Sequence, residues 1–267
     1  MAMDPSSTVG APAAPVVTSS SSAGEAGPAR APGPRRRHRL RWALTLLVAT
    51  GVGVLGVTGA TWAVTPAGAR IPQRVAAIDR AHHTTPVQAS AVPRRLAQAL
   101  VATEDAQFYR DNGIDVQALA RAAFFDVTHL CGCQGGSTIT EQLAEDLYFH
   151  GNDATLWGRW EDMIIALKIN GHLSKAQILA AYLSEVYLGH GAYGAIAASE
   201  VYFHRPLGQD TLAQSALLAG LPQAPSAYDP LRYPQEARQR RREVLAQMVA
   251  DGYITARQAA RANAAPV

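Results

Sequence analysis

SKAQILAAYLSEVYLG, residues 174–189, decides the class of fold. Its apolar residues recur in pairs one helical turn apart: Ile178/Leu179, Tyr182/Leu183 and Val186/Tyr187. This spacing predicts a buried α-helix, because residues three and four apart share one face of a helix. Ser174 is followed three residues later by Gln177, the pattern of a capping box, which marks the start of that helix.

The same helical pattern continues through the chain after residue 90. Residues 94–109 carry an apolar stripe, residues 236–252 end at a glycine suited to a helix C-terminus, and Asp115 is placed to begin a further helix. Other capping boxes are expected for Thr138 with Glu141, Thr211 with Gln214, and Thr255 with Gln258. Alternating strand patterns are scarce. The sequence therefore predicts a mainly α domain with one sizeable core.

The N-terminal part has a different composition. Residues 1–41 are mostly Ala, Pro, Ser, Gly and Arg, too poor in large apolar side chains to form a core, so we expect a disordered tail. Residues 42–64 carry no charge and are long enough to cross a bilayer, which takes about 20 residues. We expect a transmembrane helix; a signal peptide cleaved at residues 67–69 is the alternative. Residues 65–90 are then a linker and residues 91–267 the folded domain.

Charge follows the same division. The tail holds six arginines, most of them in RRRHRLR at residues 35–41, against Asp4 and Glu25, and the remaining chain is close to neutral. A basic cluster before a membrane helix predicts a cytoplasmic N-terminus and a domain on the outer face of the membrane. The cluster can also attract anionic membrane lipid. We expect no nucleic-acid partner.

The two cysteines of the chain, Cys131 and Cys133, are separated by one residue. A disulfide across this spacing would be badly strained, and partners at the spacing of a zinc site are missing. A pair of small loop residues is the simpler interpretation. An intermolecular bridge stays open, since the domain is expected to be exported.

Five short motifs follow one another in compact order. They are ATEDAQFYRDNGID (102–115), QGGSTITEQL (134–143), SKAQILAAYL (174–183), YLGHGAYG (187–194) and ASEVYFHRPL (198–207). In this order, residues 90–255 resemble the peptidoglycan glycosyltransferases of family 51, in their monofunctional biosynthetic form. The resemblance implies a lysozyme-like helical domain behind a single N-terminal anchor in the bacterial cell membrane.

The resemblance also implies an enzyme that polymerises lipid II into β-1,4-linked glycan strands and releases undecaprenyl diphosphate. Glu104 matches the general base that takes the proton from the 4-hydroxyl of the acceptor, and Asp162 matches the second acidic position. The substrate-binding positions implied by the motifs are Asp105, Gly135, Gly136, Ser137, Thr138, Gln142, Arg159 and Lys175. Lipid II, the growing glycan chain and membrane lipid are the expected partners, with other cell-wall synthesis proteins as further candidates.

Several positions depart from the family pattern. Glu145 stands where relatives have a lysine that helps to bind the donor diphosphate, Gly158 replaces an arginine, and Asp162 replaces a longer glutamate. A leaving diphosphate needs positive charge nearby, so Glu145 opposes its binding. A divalent cation, Mg²⁺ or Mn²⁺, held by the clustered acids is a hypothesis that would restore this charge. No dedicated metal ligands are predicted.

Three functions are compatible with these residues. The first is a divergent, membrane-anchored glycosyltransferase. The second is a catalytically impaired relative that binds lipid-linked precursor or a cell-wall synthase, which the departures at Glu145, Gly158 and Asp162 would explain. The third is a glycan-cleaving enzyme with Glu104 as acid, which needs no diphosphate site. The order of the motifs favours the first.

Overall fold

The computed structural model describes residues 34–66, 68–82, 84–121, 137–148 and 155–266. The α-helices whose full extent is described are α1 (Pro34–Val64), α2 (Ile71–His82), α3 (Arg94–Glu104), α4 (Ile139–Tyr148), α5 (Leu156–His172), α6 (Lys175–Glu185), α7 (Ala195–Phe203), α8 (Leu212–Gly220), α9 (Pro234–Ala250) and α10 (Ala256–Ala264). In these ranges the β-type pairing is one isolated bridge, so the mainly α prediction is confirmed. The tail up to residue 33, both cysteines, Gly135 and Gly136 lie outside the described residues.

Helix α1 begins at Pro34 and so includes the basic cluster at residues 35–41 that was expected to belong to the tail. Proline suits a first helical turn, and a helix extends at little cost once it has nucleated. Arg41–Val64 is the one segment of the described ranges whose length and apolar composition would allow it to cross a membrane. The chain divides into compact units after Gly53, and all packing described below belongs to the second unit, which starts at Val54.

Two groups of helices build the second unit. In the first group, α3 packs against α8 and α9, and α10 packs against α9. In the second group, α4 packs against α5 and α6, and α2 covers α4 and α6. The predicted stripe of α3 is confirmed, since Leu96, Ala99 and Leu100 are buried. The two helix groups meet at the segment that follows α3 and at the start of α4.

The four predicted capping boxes are all present. Thr138 accepts a hydrogen bond from the Glu141 N–H at 3.1 Å, and the Glu141 carboxylate accepts one from the Thr138 N–H at 2.8 Å. The same reciprocal bonds start α6, α8 and α10. Asp115 accepts from the Ala118 N–H at 2.8 Å, as expected for a residue that begins a helix. Local side-chain chemistry therefore sets these helix starts.

The segment expected to be a linker, residues 65–90, carries helix α2. Ile71 and Ile78 are buried and Val75 packs against the same core. These three residues are spaced at about one and two helical turns, so they share one face. The segment is part of the folded domain because this face packs on α4 and α6.

Helix α6 ends at Glu185, earlier than the pattern of residues 174–189 predicts. The chain turns at Val186, whose carbonyl oxygen accepts from the Gly194 N–H, and a bridge pairs Tyr187 with Tyr193. Gly189, His190 and Gly191 all have positive φ and reverse the chain between the two tyrosines. The apolar pair Val186/Tyr187 thus belongs to this turn, because backbone pairing across the reversal replaces the last helical turn.

Lys168 on α5 binds the C-terminal end of α1. Its ammonium group donates to the carbonyl oxygens of Trp62 at 2.7 Å and Thr65 at 2.9 Å and to the Thr65 hydroxyl at 2.8 Å. It also lies 5.0 Å from the centre of the Trp62 ring. Carbonyls at a helix C-terminus lack helical partners and attract a cation. This contact fixes the chain where α1 enters the domain.

Candidate active site

Glu104 is the last residue of α3 and is held by a chain of hydrogen bonds from the second helix group. The Gln142 amide N–H on α4 donates to Glu104 Oε2 at 2.9 Å, and the Tyr182 hydroxyl on α6 donates to Gln142 Oε1 at 2.7 Å. Because the ionised Glu104 carboxylate can only accept, the Gln142 amide must present its nitrogen to Glu104, which leaves its oxygen for the Tyr182 hydroxyl. Gln142, expected to bind substrate, therefore positions the expected base.

A second contact reaches Glu104 from α9. Nη2 of Arg240 lies 3.7 Å from Oε1 of Glu104, and the two side chains are 10% and 12% exposed. Arg240 also donates its Nε–H to the carbonyl oxygen of Gly220 at 2.9 Å and an Nη1–H to Glu243 at 3.2 Å. The guanidinium is thus fixed from three sides.

Arg240 was not anticipated as a functional residue. It lies on the buried face of α9, together with Ala237, Arg241, Val244, Leu245 and Met248. A signal was available, because arginine is almost never fully buried without a partner, and here two arginines stand at apolar positions of a helical stripe. Arg241 has a different task, since it donates to the carbonyl oxygens of Asn263, Ala265 and Pro266 and holds the C-terminal segment.

The protonation of Glu104 reflects opposing influences. Burial raises the pKa of Glu104, whereas the hydrogen bond from Gln142 and the positive charge of Arg240 lower it. Burial disfavours the charged carboxylate, and a donor or a cation favours it. The site therefore has a carboxylate whose basicity is increased by burial and whose ionised form is stabilised by two specific partners.

Asp105, the neighbour of Glu104, joins α3 to α4. Its Oδ2 accepts from the Ile139 N–H, in the first turn of α4, at 3.1 Å. Burial and the nearby Asp111 raise the pKa of Asp105 to about 7, against the lowering effect of the Ile139 N–H and Lys175. Asp105 was expected to bind substrate; the structure places its buried carboxylate at a helix N-terminus, where anions are stabilised.

Lys175, a further expected substrate-binding residue, is engaged in an ion pair. Its ammonium group lies 2.8 Å from Oδ1 of Asp111 and 4.4 Å from the centre of the Phe108 ring. The same Asp111 oxygen accepts from the Gly113 N–H at 2.7 Å. Gly113 has a φ of 99°, and a Cβ there would lie 2.7 Å from the Ala166 carbonyl oxygen, so glycine is required. Lys175 thus stabilises a tight turn.

Asp162 lies in a separate small cavity of about 50 Å³. The cavity is lined by Leu119, Ser137, Glu141, Glu145, Arg159, Asp162 and Met163. Asp162 is 9% exposed, and its Oδ1 has no hydrogen-bond partner among the described residues. Burial, with Glu145 and Glu141 nearby, raises the pKa of Asp162 to about 7, and Arg159 opposes this rise. Three acidic residues, Glu141, Glu145 and Asp162, therefore lie around Arg159, and we call this feature the acidic cavity.

Helix α4 contributes side chains both to the surroundings of Glu104 and to the cavity of Asp162. Gln142 points to Glu104, whereas Glu141 and Glu145, one turn apart, line the cavity with Asp162. Neighbouring helical residues point about 100° apart, so the two sets occupy adjoining faces of one helix. Burial raises the pKa of Glu141 to about 7, which the Thr138 N–H and Arg159 counteract.

The other residues expected at the site cap α4, line the acidic cavity or fall outside the described residues. Thr138 caps α4 and donates its hydroxyl to the Gly113 carbonyl oxygen at 2.7 Å, while Ser137 and Arg159 line the acidic cavity. Gly135 and Gly136 fall outside the described residues. Over the described ranges, no group of three or more His, Cys, Asp or Glu side chains is arranged to hold a metal ion.

The sequence profile of the family described as Transglycosylase matches residues 72–249, about two thirds of the chain. The chain belongs to the transglycosylase family. This confirms the resemblance given by the five motifs, and with it the glycosyltransferase class of enzyme. The matched range runs from Pro72 in α2 to Val249 in α9 and includes every residue described above for the site of Glu104.

Individual relatives agree with this assignment. Penicillin-binding protein 1F of Bacillus subtilis (strain 168) is 37% identical over 178 residues, which are 67% of this chain and 25% of the relative. Penicillin-binding protein 1A of Aquifex aeolicus (strain VF5) is 42% identical over 167 residues, 62% of this chain and 23% of the relative. That of Escherichia coli (strain K12) is 40% identical over 173 residues, 65% of this chain and 20% of the relative. The chain thus spans a quarter or less of these relatives' length.

Proposed function

We propose that this transglycosylase domain polymerises lipid II into β-1,4-linked glycan strands with Glu104 as general base. The 4-hydroxyl oxygen of the acceptor attacks C1 of the donor sugar, and its proton passes to Glu104. The bond from C1 to the diphosphate oxygen breaks with inversion, and undecaprenyl diphosphate leaves. The observation that carries the proposal is the setting of Glu104, a carboxylate oriented by Gln142 and paired with Arg240.

This setting suits proton removal from a sugar hydroxyl. A general base is most effective when its pKa lies near the working pH, and burial moves the pKa of Glu104 in that direction. Its two polar partners fix the carboxylate and favour its ionised form before the proton arrives. Gln142 and Arg240 act through Glu104, so we assign them as positioning residues.

The acidic cavity is the proposed place for the second acidic function. Asp162 would orient the donor, and Arg159, which lines the same cavity, is the cation available there for the diphosphate. Glu145 reduces the positive potential that Arg159 offers. A divalent cation, Mg²⁺ or Mn²⁺, would supply the missing positive charge, but no group of acids in the described ranges is arranged to hold one, so a dependence on these ions is left to the assay below.

The proposed location is the outer face of a bacterial cell membrane, with Arg41–Val64 as a single-pass anchor. Arginines stand before this segment at residues 35–37 and 39 and at its first position, Arg41, so the positive-inside rule favours a cytoplasmic N-terminus. In this orientation the domain follows the span directly and faces a substrate whose lipid is held in the bilayer.

The test is glycan polymerisation on labelled lipid II by the full chain in detergent, with and without Mg²⁺ or Mn²⁺. Glu104→Gln should reduce turnover by about a hundredfold or more, because a positioned base typically contributes 10²–10⁴. Glu200→Gln, which changes an exposed carboxylate on α7, is the matched control and should keep full activity. Equal activity of Glu104→Gln and wild type would overturn the assignment of the base.

The acidic cavity favours one alternative, a relative that binds lipid-linked precursor or a cell-wall synthase without turning over. Three acids against one arginine is an unfavourable environment for a diphosphate. No polymer under any metal condition, from protein with native circular dichroism, together with retained binding of lipid II, would support this alternative. A glycan-cleaving activity would be recognised by soluble fragments released from isolated cell walls.

A further inference from the structure

A groove of about 520 Å³ lies at the N-terminal end of α3, away from the acidic cavity. Residues of α3, α8 and α10 line it, together with the turn before α10. Its floor is largely apolar, formed by Leu212, Ala213, Ile254 and Ala262. Arg94, Arg95 and Arg261 stand around this floor, and we call the whole feature the arginine groove.

The three guanidinium groups are exposed and unused by the fold. Within the described residues none of them makes a hydrogen bond, an ion pair or an aromatic contact, and no acidic residue lines the groove. By contrast, Arg74, Arg240 and Arg241 bind backbone carbonyls, as Arg74 does with Leu147 at 2.9 Å. Three like charges held around one apolar floor repel one another, so an anionic ligand would be stabilising here.

We propose that the arginine groove docks an acidic amphipathic segment of a partner protein. Guanidinium forks match carboxylates in geometry and charge, while the floor accepts apolar side chains on the same segment. The chain's own tail, residues 1–41, cannot be the occupant because it is strongly basic. A peptide segment is narrow enough to reach the apolar floor between the helices. A flat bilayer surface would contact only the arginines around that floor.

The arginine groove lies away from Glu104, the proposed general base. Arg95 and Glu104 are nine residues apart on α3, which is about 13 Å along a helix axis. Glu104 lies at the far end of the helix and is contacted from α4 and α9. A partner seated in the groove would therefore leave Glu104 open to substrate, and the proposal does not depend on whether the domain polymerises lipid II.

The probe is a fluorescein-labelled synthetic helix of glutamate and leucine in amphipathic order, titrated with the full chain in detergent and followed by anisotropy. Its counterpart carries glutamine in place of every glutamate. The test variant is Arg94→Glu, Arg95→Glu and Arg261→Glu together, with the corresponding triple glutamine variant as a milder change. The control reverses three exposed arginines outside the groove, Arg80→Glu, Arg110→Glu and Arg242→Glu.

We expect the groove reversal to weaken binding of the acidic probe by about tenfold or more and the control reversal to change it much less. The triple glutamine variant should fall in between, and the uncharged probe should not bind. Equal loss in both reversals would overturn the proposal, as it would show attraction to net charge alone. Groove-dependent binding to phosphatidylglycerol vesicles without binding of the probe would overturn it in favour of a membrane surface.

Discussion

Arg240 joins the end of α3 to the end of α8, because it lies 3.7 Å from Oε1 of Glu104 and donates to the Gly220 carbonyl oxygen at 2.9 Å. Helix α9 thus provides the cation beside the proposed base, while α4 provides the hydrogen bond from Gln142. Burial raises the pKa of Glu104, and these two contacts oppose the rise. The ionised base therefore depends on both helix groups of the domain.

Replacing Arg240 should impair Glu104 as a general base, because Arg240 acts through Glu104 and not on the substrate. In Arg240→Gln the pKa of Glu104 rises, since the nearby positive charge is lost, and the acidic limb of the kcat/KM profile moves to higher pH. Polymerisation at neutral pH should fall by about tenfold or more. Initial rates on lipid II across a pH series measure this. Arg238→Gln, an exposed change on the same helix, is the control, and an unshifted acidic limb in Arg240→Gln contradicts the prediction.

Tyr182 donates to Gln142 and Gln142 donates to Glu104, and these two hydrogen bonds should act as one unit in catalysis. Gln142→Leu removes the donor to Glu104 and leaves the buried Tyr182 hydroxyl without its acceptor, at a cost of about 1–3 kcal/mol in the free energy of unfolding. Tyr182→Phe leaves Gln142 in place but frees its amide to turn, so we expect a smaller loss of kcat. In the double variant the Tyr182 change should add almost nothing to the loss of kcat. Additive losses would mean that the two residues act separately.

Local patterns were sufficient for much of the fold. The capping boxes at Thr138, Ser174, Thr211 and Thr255 depend on residues three apart, so the sequence predicts each helix start correctly. The end of α6 could not be predicted in this way. It depends on backbone bonds between Val186 and Gly194 across a reversal, which the apolar spacing does not record.

The partners of the site residues were harder to predict. Glu104 and Arg240 are far apart in sequence, and their contact follows from the packing of α3 on α9. Lys175 shows the same limit, because the motif predicts a lysine at an anion site but does not predict its ion pair with Asp111 in the folded chain. Sequence motifs thus predict which residues are chemically suitable, whereas packing determines which of them remain available.

The acidic cavity makes a prediction about Glu145. In Glu145→Lys a positive charge joins Arg159, and the pKa of Asp162 should fall because one of the acids that raise it is removed. Since Glu145 is exposed, solvent screening limits the gain, and KM for lipid II should decrease by about two- to fivefold. The decrease should shrink at high salt. Glu200→Lys is the charge-matched control, and an unchanged or higher KM in Glu145→Lys contradicts a diphosphate site in this cavity.

Glu185 should make the domain less stable at alkaline pH. The residue is 4% exposed, and its carboxyl group lies beside that of Asp79. Burial, together with the neighbouring Asp79, raises the pKa of Glu185 from 4.5 to about 8. A raised pKa means that the folded state binds the proton more tightly than the unfolded state. The stability from this group is complete below pH 4.5 and is lost as pH rises through about 8.

Glu185→Gln removes the charge that burial disfavours, so the variant should lose less stability than wild type between pH 5 and 9. Thermal melting followed by circular dichroism across this range measures the difference, which should be largest at the alkaline end, where wild-type Glu185 ionises. The exposed change Glu200→Gln should leave the pH dependence of Tm unaltered. If Glu185→Gln and wild type lose the same Tm from pH 5 to 9, then Glu185 ionises at its ordinary pKa or is solvated in solution.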